Sequence, residues 1–167
     1  MAPQAYGDFG SIDWEEWEPF ERATLLFVVR DGLVLLIDKK TGLGAGMINA
    51  PGGRIGDGET PEEAAIRETQ EEVGVTPRDV RACGELLFQC IDGYSVHIFV
   101  FSAGDCDGEP RETDEASPRW TPVDAIPYDA MWEDDRLWIP LMLEGKRFEG
   151  RFLFDGLRMI GQEVLVR

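Results

Sequence analysis

Three glutamates in the first half of the chain have the spacing that brings side chains together on a helix. Glu68, Glu71 and Glu72 stand at positions i, i+3 and i+4, whose Cβ atoms lie roughly 5–6 Å apart on one helical face. Carboxylates this close repel one another unless a cation lies among them, and oxygen ligands suit Mg²⁺ or Mn²⁺. The spacing therefore indicates a divalent metal site, with a solvated acidic face as the plainer alternative.

The flanking residues predict the helix that would carry these glutamates. Thr60 followed by Glu63 forms a capping box, and Pro61 takes the first helical position, where a missing N–H costs nothing. Gly74 is suited to a helix C-cap. We therefore expect a helix from Pro61 to about Gly74, preceded by a glycine-rich loop over residues 52–58.

Residues 53–75, GRIGDGETPEEAAIRETQEEVGV, resemble the Nudix box, G-x5-E-x7-R-E-U-x-E-E-x-G-U, where U is bulky and apolar. Every fixed letter is present, and Thr69 stands at the first U position, where its methyl group can still pack. Such a match is highly specific because many positions must agree at fixed spacing. The resemblance, which extends over about residues 22–166, implies an α/β fold, the Nudix α/β/α sandwich with a mixed β-sheet. It also implies metal-dependent cleavage of diphosphate bonds, with Mg²⁺ or Mn²⁺ as cofactor.

The resemblance also assigns metal-binding roles. Glu71 and Glu72 would be the main ligands, and Glu68 would be a ligand or the catalytic base. The backbone carbonyl of Gly52 would help to hold the ion, and Glu115 would add a carboxylate from outside the box.

Three further charged residues receive supporting roles from the same resemblance. Arg67 would pair with a box glutamate and orient it, and Glu59 would support the loop. Lys39 is a candidate phosphate contact, although a solvated loop lysine explains it equally well.

Beyond the box, residues 39–55, 113–120 and 126–150 are similar to MutT-like hydrolases of oxidised purine nucleoside triphosphates, including the animal 8-oxo-dGTP diphosphatases. This similarity implies a purine-binding pocket whose members are Asn49, Phe88, Trp132, Asp134 and Asp135. Core packing is the alternative for the two aromatic residues. For the two aspartates, the alternative is an N-cap and first-turn acid of a following helix.

The predicted pocket also makes chemical sense. Trp132 offers a flat wall for stacking, Asn49 can donate and accept, and the aspartate carboxyls can read the base edge or share a proton. Leu43 and Ala50-Pro51 depart from the family pattern, so the shape of the pocket would differ from that of relatives.

The implied reaction converts a nucleoside triphosphate such as 8-oxo-dGTP to the monophosphate and pyrophosphate, which sanitises the nucleotide pool. One alternative is another Nudix substrate, such as ADP-ribose, a dinucleoside polyphosphate or coenzyme A. Pro77 lies too near the box for the downstream proline of the ADP-ribose subfamily. A second alternative is a non-catalytic nucleotide-binding Nudix domain, against which the intact box glutamates argue.

Composition limits the partners. The chain has 167 residues, of which 43% are hydrophobic, and a net charge of −17 from 33 acidic and 16 basic residues. That surface repels nucleic acid polymers but admits a small nucleotide whose phosphates are neutralised by metal. Since neither a membrane span nor a signal peptide is recognisable, we expect a cytoplasmic protein, either monomer or homodimer.

The resemblance implies an N-terminal extension over residues 1–21 and a Nudix hydrolase domain over residues 22–167. Turns at Asp31-Gly32, Asp92-Gly93 and Asp155-Gly156 predict three hairpins. The paired strands lie at residues 23–30 and 33–38, 82–91 and 94–102, and 147–154 and 157–166. A short strand is expected at 118–122 and a helix at 134–143.

Other residues suit structural roles. Trp14, Trp17 and Phe20 would pack on the domain or mediate dimerisation. Cys83, Cys90 and Cys106 are expected to be buried thiols, and His97 a core histidine without a catalytic role.

Overall fold

The computed structural model describes residues 6–167, in which one mixed β-sheet lies between two helices. The strands are β1 (Glu21–Arg30), β2 (Leu33–Lys39), β3 (Ile48–Asn49), β4 (Gly52–Arg54), β5 (Thr76–Cys90), β6 (Ser95–Asp107), β7 (Ala116–Pro122), β8 (Phe148–Asp155) and β9 (Arg158–Val166). The helices are α1 (Pro61–Val73) and α2 (Asp135–Leu143), with 3₁₀ turns at Phe9–Ser11 and Tyr128–Ala130.

The sheet mixes parallel and antiparallel pairs. The strand order is β3-β2-β1-β6-β5-β8-β9, with β4 paired to β1 and β7 paired to β2. The β1–β6 and β5–β8 pairs are parallel, and the other pairs are antiparallel. This topology confirms the predicted mixed sheet.

Alternation along β1 divides the core into two layers. Leu25 and Phe27 pack on the same side as Trp138 of α2, whereas Leu26 and Val28 pack on the side of α1. Each fully buried large apolar side chain contributes roughly 1.5–3 kcal/mol. Both sheet faces are therefore covered by a helix, which confirms the α/β/α sandwich.

Helix α1 begins and ends where the sequence predicts. The Thr60 side chain accepts from the Glu63 amide at 3.1 Å, and the Glu63 carboxylate accepts from the Thr60 amide at 3.2 Å. Gly74 has φ 76° and donates its N–H to the Gln70 carbonyl. Thr69 is fully buried, with its hydroxyl bonded to the Ala65 carbonyl at 2.8 Å, so the polar residue at an apolar box position is satisfied within the helix.

The largest differences from the predicted elements are in β5 and β6, which are longer than expected. They form one antiparallel ribbon from the Thr76–Asp107 pair to the Asp92-Gly93 turn, interrupted by a bulge between Ala82 and Gly84. The polar ends of this ribbon lack an apolar alternation, so only pairing reveals them as strands. Strands β3 and β4 were also missed because their order depends on pairing with β2 and β1.

The N-terminal segment packs over the sheet beside α1, although residues 1–5 of the predicted extension lie outside the described part. Trp17 donates from Nε1 to Gln89 Oε1 at 2.9 Å, and its ring lies 5.6 Å from that of Trp14 and 6.5 Å from that of His97. His97 is half-buried and lies 2.9 Å from Glu85 Oε1. Phe20, in contrast, remains 59% exposed.

The three cysteines are free thiols, and Cys106 is buried as predicted. Cys83 and Cys90 are less buried than expected, since each is half-buried and packs against the core on the α2 side of the sheet. Among residues 6–167, no helix has the length and hydropathy needed to span a bilayer.

Candidate active site

Two adjacent glycines bring β4 against both β1 and α1. A side chain on Gly52 would collide with the backbone carbonyl of Thr24, its close neighbour on β1. A Cβ on Gly53 would lie 2.5 Å from the carboxyl carbon of Glu68. The missing side chain of Gly53 therefore leaves the space that the Glu68 carboxylate occupies.

Three carboxylates converge beside β4. One oxygen from each of Glu68, Glu72 and Glu115 lies within 4.8 Å of the others. Glu72 is buried, and Glu115 is exposed on the loop before β7. Glu71 has a half-exposed side chain that bonds Arg67 Nη1 at 3.2 Å, so it lies beside this group rather than within it.

Burial disfavours the charged forms of the carboxylates in this cluster. It raises the pKa of Glu72 to about 8, and the neighbouring charge of Glu68 adds to the rise. Burial also raises the pKa of Glu68, against the opposing hydrogen bond from Arg67. Glu72 Oε2 is buried without a hydrogen-bond partner among the described residues. A buried acceptor within a group of acceptor-only oxygens fits a hard divalent cation.

Arg67 fixes the acidic side chains around it. Its guanidinium bonds both oxygens of Glu59, at 2.6 and 2.9 Å, and also Glu68 at 2.9 Å and the Arg54 carbonyl at 3.1 Å. Glu59 in turn accepts from the Gly56 amide at 2.7 Å. The Arg67 hydrogen bonds lower the pKa of Glu59 to about 2. Arg67 thus ties the glycine loop to the helix and orients Glu68.

Lys39 lies close enough to the cluster for its charge to lower the pKa of Glu72. Lys40 and Lys146 pair with Glu112 and Glu144, at 2.7 and 2.9 Å. Within residues 6–167, the Lys39 ammonium makes no ion pair closer than 4.0 Å. It is therefore free to meet an anion.

Two buried carboxyls form a second polar site, at the start of α2. Asp134 is 1% exposed and Asp135 is 4% exposed. Asp134 Oδ2 accepts from Trp138 Nε1 at 2.8 Å, whereas Asp134 Oδ1 and Asp135 Oδ2 have no partner within residues 6–167. Asp134 occupies the N-cap position of α2 and Asp135 its first turn, as the alternative interpretation placed them, but among residues 6–167 the Asp134 side chain makes no capping bond to a helix amide.

The two aspartates hold protons more tightly than ordinary carboxyls. Burial raises the pKa of Asp134 to about 6, and the Trp138 hydrogen bond opposes that rise. Burial raises the pKa of Asp135 further, and the charge of Asp134 adds to it. Burial thus favours the protonated form of both carboxyls.

Aromatic rings connect Trp132 to Phe88. Trp132 lies edge-on to Phe154 at 5.7 Å, Phe154 lies 5.9 Å from Phe88, and Phe88 stacks on Phe152 at 5.2 Å. A Cβ on Gly44 would lie 3.1 Å from Trp132 Nε1. The loop of residues 40–47 therefore touches Trp132 on its way from Lys39 to Asn49.

Asn49 lies on β3 at the end of this loop. Its Oδ1 accepts from the Ala50 amide at 2.8 Å, which leaves the side-chain amide nitrogen available to a ligand. The 40–47 loop thus joins the acidic cluster, through Lys39, to the aromatic and aspartate side of the molecule.

A family model described as the NUDIX domain matches residues 19–142, which include the three carboxylates and both buried aspartates. The chain belongs to the Nudix family. It is 45% identical over 143 residues to the oxidized purine nucleoside triphosphate hydrolase of Danio rerio, covering 85% of this chain and 92% of that protein. The Mus musculus protein of the same name is 39% identical over 133 residues, covering 79% of this chain and 85% of the mouse protein.

A solved structure, the mutator MutT protein from Bacillus halodurans, shares the Nudix fold. Its TM-score is 0.79 at 24% identity, covering 87% of this chain and 97% of that one. At this identity, the likeness concerns the fold.

Sequence reasoning missed three residues of this Nudix site. Trp138 of α2 is fully buried, and its indole Nε1 donates to Asp134 Oδ2. The i, i+4 spacing of Asp134 and Trp138 could have predicted this contact, because side chains at that spacing are neighbours on a helix. Phe154, which contacts Trp132, could have been found from the alternation of Phe152 and Phe154. Thr113 lies in the loop before β7, where no local pattern in the sequence predicts its contacts.

Two open clefts on the surface lie away from the residues of the Nudix site. One cleft of about 380 Å³ lies beside Arg81 and Met142, and another of about 580 Å³ lies beside Tyr128 and Arg136. Neither is lined by the residues predicted for metal or base. The site is recognised instead by the convergence of its side chains.

Proposed function

We propose that this protein hydrolyses oxidised purine nucleoside triphosphates, such as 8-oxo-dGTP, to the nucleoside monophosphate and pyrophosphate. The observation that carries the proposal is the pairing of two polar sites through one loop. The loop of residues 40–47 begins after Lys39, whose charge acts on Glu72, and it contacts Trp132, which is close in sequence to the buried Asp134 and Asp135. The names of the zebrafish and mouse relatives support the same substrate class.

The acidic cluster would hold Mg²⁺, with Mn²⁺ as a substitute. Glu68, Glu72 and Glu115 supply converging oxygens, and the partnerless Glu72 Oε2 is the atom that most needs a cation. Glu71 and the Gly52 carbonyl remain candidate ligands from the family resemblance. When bound, the ion would neutralise phosphate charge and lower the pKa of the attacking water.

The protein's own side chains then position the triphosphate. Lys39 offers an ammonium unpaired within residues 6–167 to the phosphates. Arg67 holds Glu68 in place, so Glu68 can orient a water molecule or accept its proton. Positioning and charge neutralisation dominate phosphoryl chemistry, and these side chains would contribute to both.

Base recognition would fall to the buried pair and its surroundings. Trp132 supplies the stacking surface, and the Asn49 amide nitrogen can donate to a base carbonyl. Asp134 and Asp135 together can donate and accept at the base edge, because burial raises the pKa of both carboxyls and a protonated carboxyl is a donor as well as an acceptor. A base that fails to pair with these buried groups would leave them unsatisfied, which costs about 1–3 kcal/mol for each group.

Substrate profiling tests this proposal. The purified protein with Mg²⁺ is offered 8-oxo-dGTP, 2-hydroxy-dATP, the four normal dNTPs and ADP-ribose, and monophosphate and pyrophosphate are measured. We expect the highest kcat/KM for an oxidised purine, with no turnover in EDTA. Equal turnover of normal and oxidised nucleotides, or preferred cleavage of ADP-ribose, would contradict the proposed specificity.

A further inference from the structure

Glu115 reaches the acidic cluster from a loop, not from the box helix. The loop of residues 111–115 precedes β7, and Glu115 itself is exposed. An exposed side chain on an unsupported loop would sample many positions, at a cost in conformational entropy when it binds an ion. The contacts that hold this loop therefore determine how well Glu115 meets Glu68 and Glu72.

The loop is attached to the C-terminal end of α1. The last carbonyls of a helix lack partners within the helix. Here the Arg111 amide donates to the Val73 carbonyl at 2.9 Å, and the Thr113 hydroxyl donates to the Glu72 carbonyl at 2.7 Å. Glu72 therefore has two roles: its buried carboxylate belongs to the cluster, and its backbone carbonyl anchors the loop.

The same hydroxyl oxygen of Thr113 has a second bond. It accepts from the Glu115 amide at 3.2 Å, so a single atom links the backbone of Glu72 to the backbone of Glu115. The other side of the loop is held by Lys40, whose ammonium donates to the Thr113 carbonyl at 2.8 Å and whose amide donates to the Glu115 carbonyl at 3.0 Å.

We infer that Thr113 is a positioning residue, whose hydroxyl sets the approach of the Glu115 carboxylate to Glu68 and Glu72 and thereby strengthens divalent cation binding. The inference rests on the proposed metal-dependent function. The Thr113 hydroxyl bonds the backbone of Glu72 and Glu115 and supplies no carboxylate to the cluster. It acts through Glu115, as residues that orient metal ligands do.

Mn²⁺ binding measured without nucleotide, by electron paramagnetic resonance and calorimetry, tests this inference. Thr113→Val keeps the shape but removes the hydroxyl, and we expect about tenfold weaker binding. Thr113→Ser keeps the hydroxyl and should bind Mn²⁺ nearly as the wild type does. Lys40→Met removes the ammonium bond to the Thr113 carbonyl, keeps the Thr113 hydroxyl and the Lys40 amide bond to Glu115, and should weaken binding in the same direction, by less. If Thr113→Val fails to fold, the Lys40→Met result decides, and wild-type affinity there would overturn the inference.

A double-mutant cycle separates positioning from a purely structural helix cap. With Glu115→Gln already present, Thr113→Val should cause almost no further loss of Mn²⁺ affinity, because the two changes act through one carboxylate. A lower Tm with wild-type Mn²⁺ affinity in Thr113→Val, or an equal loss in both backgrounds, would overturn the inference. Since nucleotide is absent, a failure of the proposed substrate class would leave these results unchanged and would be seen only in the turnover assay.

Discussion

The box helix and the aspartate pair of α2 handle crowded carboxyls in opposite ways. In the first region Glu68, Glu72 and Glu115 converge at a partly exposed edge, and Glu72 Oε2 lacks a partner among the described residues. In the second, Asp134 and Asp135 are both almost fully buried, and Trp138 bonds one of them. Under the proposed function, a cation would complete the first arrangement, and a retained proton would complete the second.

This difference suggests a division of labour. Charged carboxylates at an open edge can exchange a metal and meet phosphates, whereas neutralised carboxyls in an apolar setting can discriminate between hydrogen-bond patterns. Changes in the box helix should therefore alter catalysis without altering base preference. Changes at the aspartate pair should do the reverse.

The sharpest test is Glu72→Gln. Loss of the buried carboxylate should reduce kcat by more than the roughly 10- to 100-fold cost of losing an outer partner of a metal ligand. The ranking of oxidised and normal nucleotides should stay unchanged in any residual activity. Glu62→Gln, on the exposed face of the same helix, is the matched control and should retain wild-type kcat. Retained activity in Glu72→Gln would refute the metal assignment.

Substitution of the two neighbouring glycines separates site geometry from folding. In Gly53→Ala the new methyl group would displace the flexible Glu68 carboxylate, so kcat should fall about ten- to a hundredfold while Tm changes little. In Gly52→Ala the methyl group meets the backbone of Thr24 instead, so Tm should fall by roughly several degrees. Steady-state kinetics and thermal melts of both variants give the comparison. Equal Tm losses would show that Gly53 has no special relation to Glu68.

Asp134→Asn and Asp135→Asn should shift base preference. An amide cannot reproduce both protonation states of a carboxyl, so we expect about a tenfold change in the kcat/KM ratio of oxidised to normal purine nucleotides, equivalent to about 1.4 kcal/mol. The Mg²⁺ concentration for half-maximal rate should remain that of the wild type. Asp124→Asn, at an exposed position, is the control. An unaltered ranking in both variants would count against the proposed base pocket.

The smallest expected effect is on the pH dependence of stability. Because the pKa of Asp134 is raised to about 6 in the folded protein, its contribution to stability is complete below the unfolded pKa, about 3.9, and is lost as pH rises through about 6. The wild-type Tm minus the Tm of Asp134→Asn should therefore fall by roughly a few degrees from pH 5 to pH 7.5, because only the wild type loses this contribution. Thermal melts without metal measure it. A difference that grows with pH would show that burial does not raise this pKa.

Much of the box helix could be predicted because its signals are local. Thr60, Glu63 and Gly74 fix its ends through hydrogen bonds within a few residues, and helical geometry alone places Glu68 beside Glu72. The hairpin turns at Asp31-Gly32 and Asp155-Gly156 also follow from residues that tolerate positive φ. The aspartate pair was proposed only from a family resemblance.

What the sequence determined by itself was therefore the box helix, the alternation of the strands and the spacing of the glutamates, since each depends on backbone geometry and nearest neighbours. Only the tertiary structure decided that Glu115 rather than Glu71 lies with Glu68 and Glu72, that Trp138 bonds Asp134 deep in the core, and that Thr113 links Glu72 to Glu115. These contacts join segments distant in sequence, and they exist because burying both faces of the sheet brings the segments together.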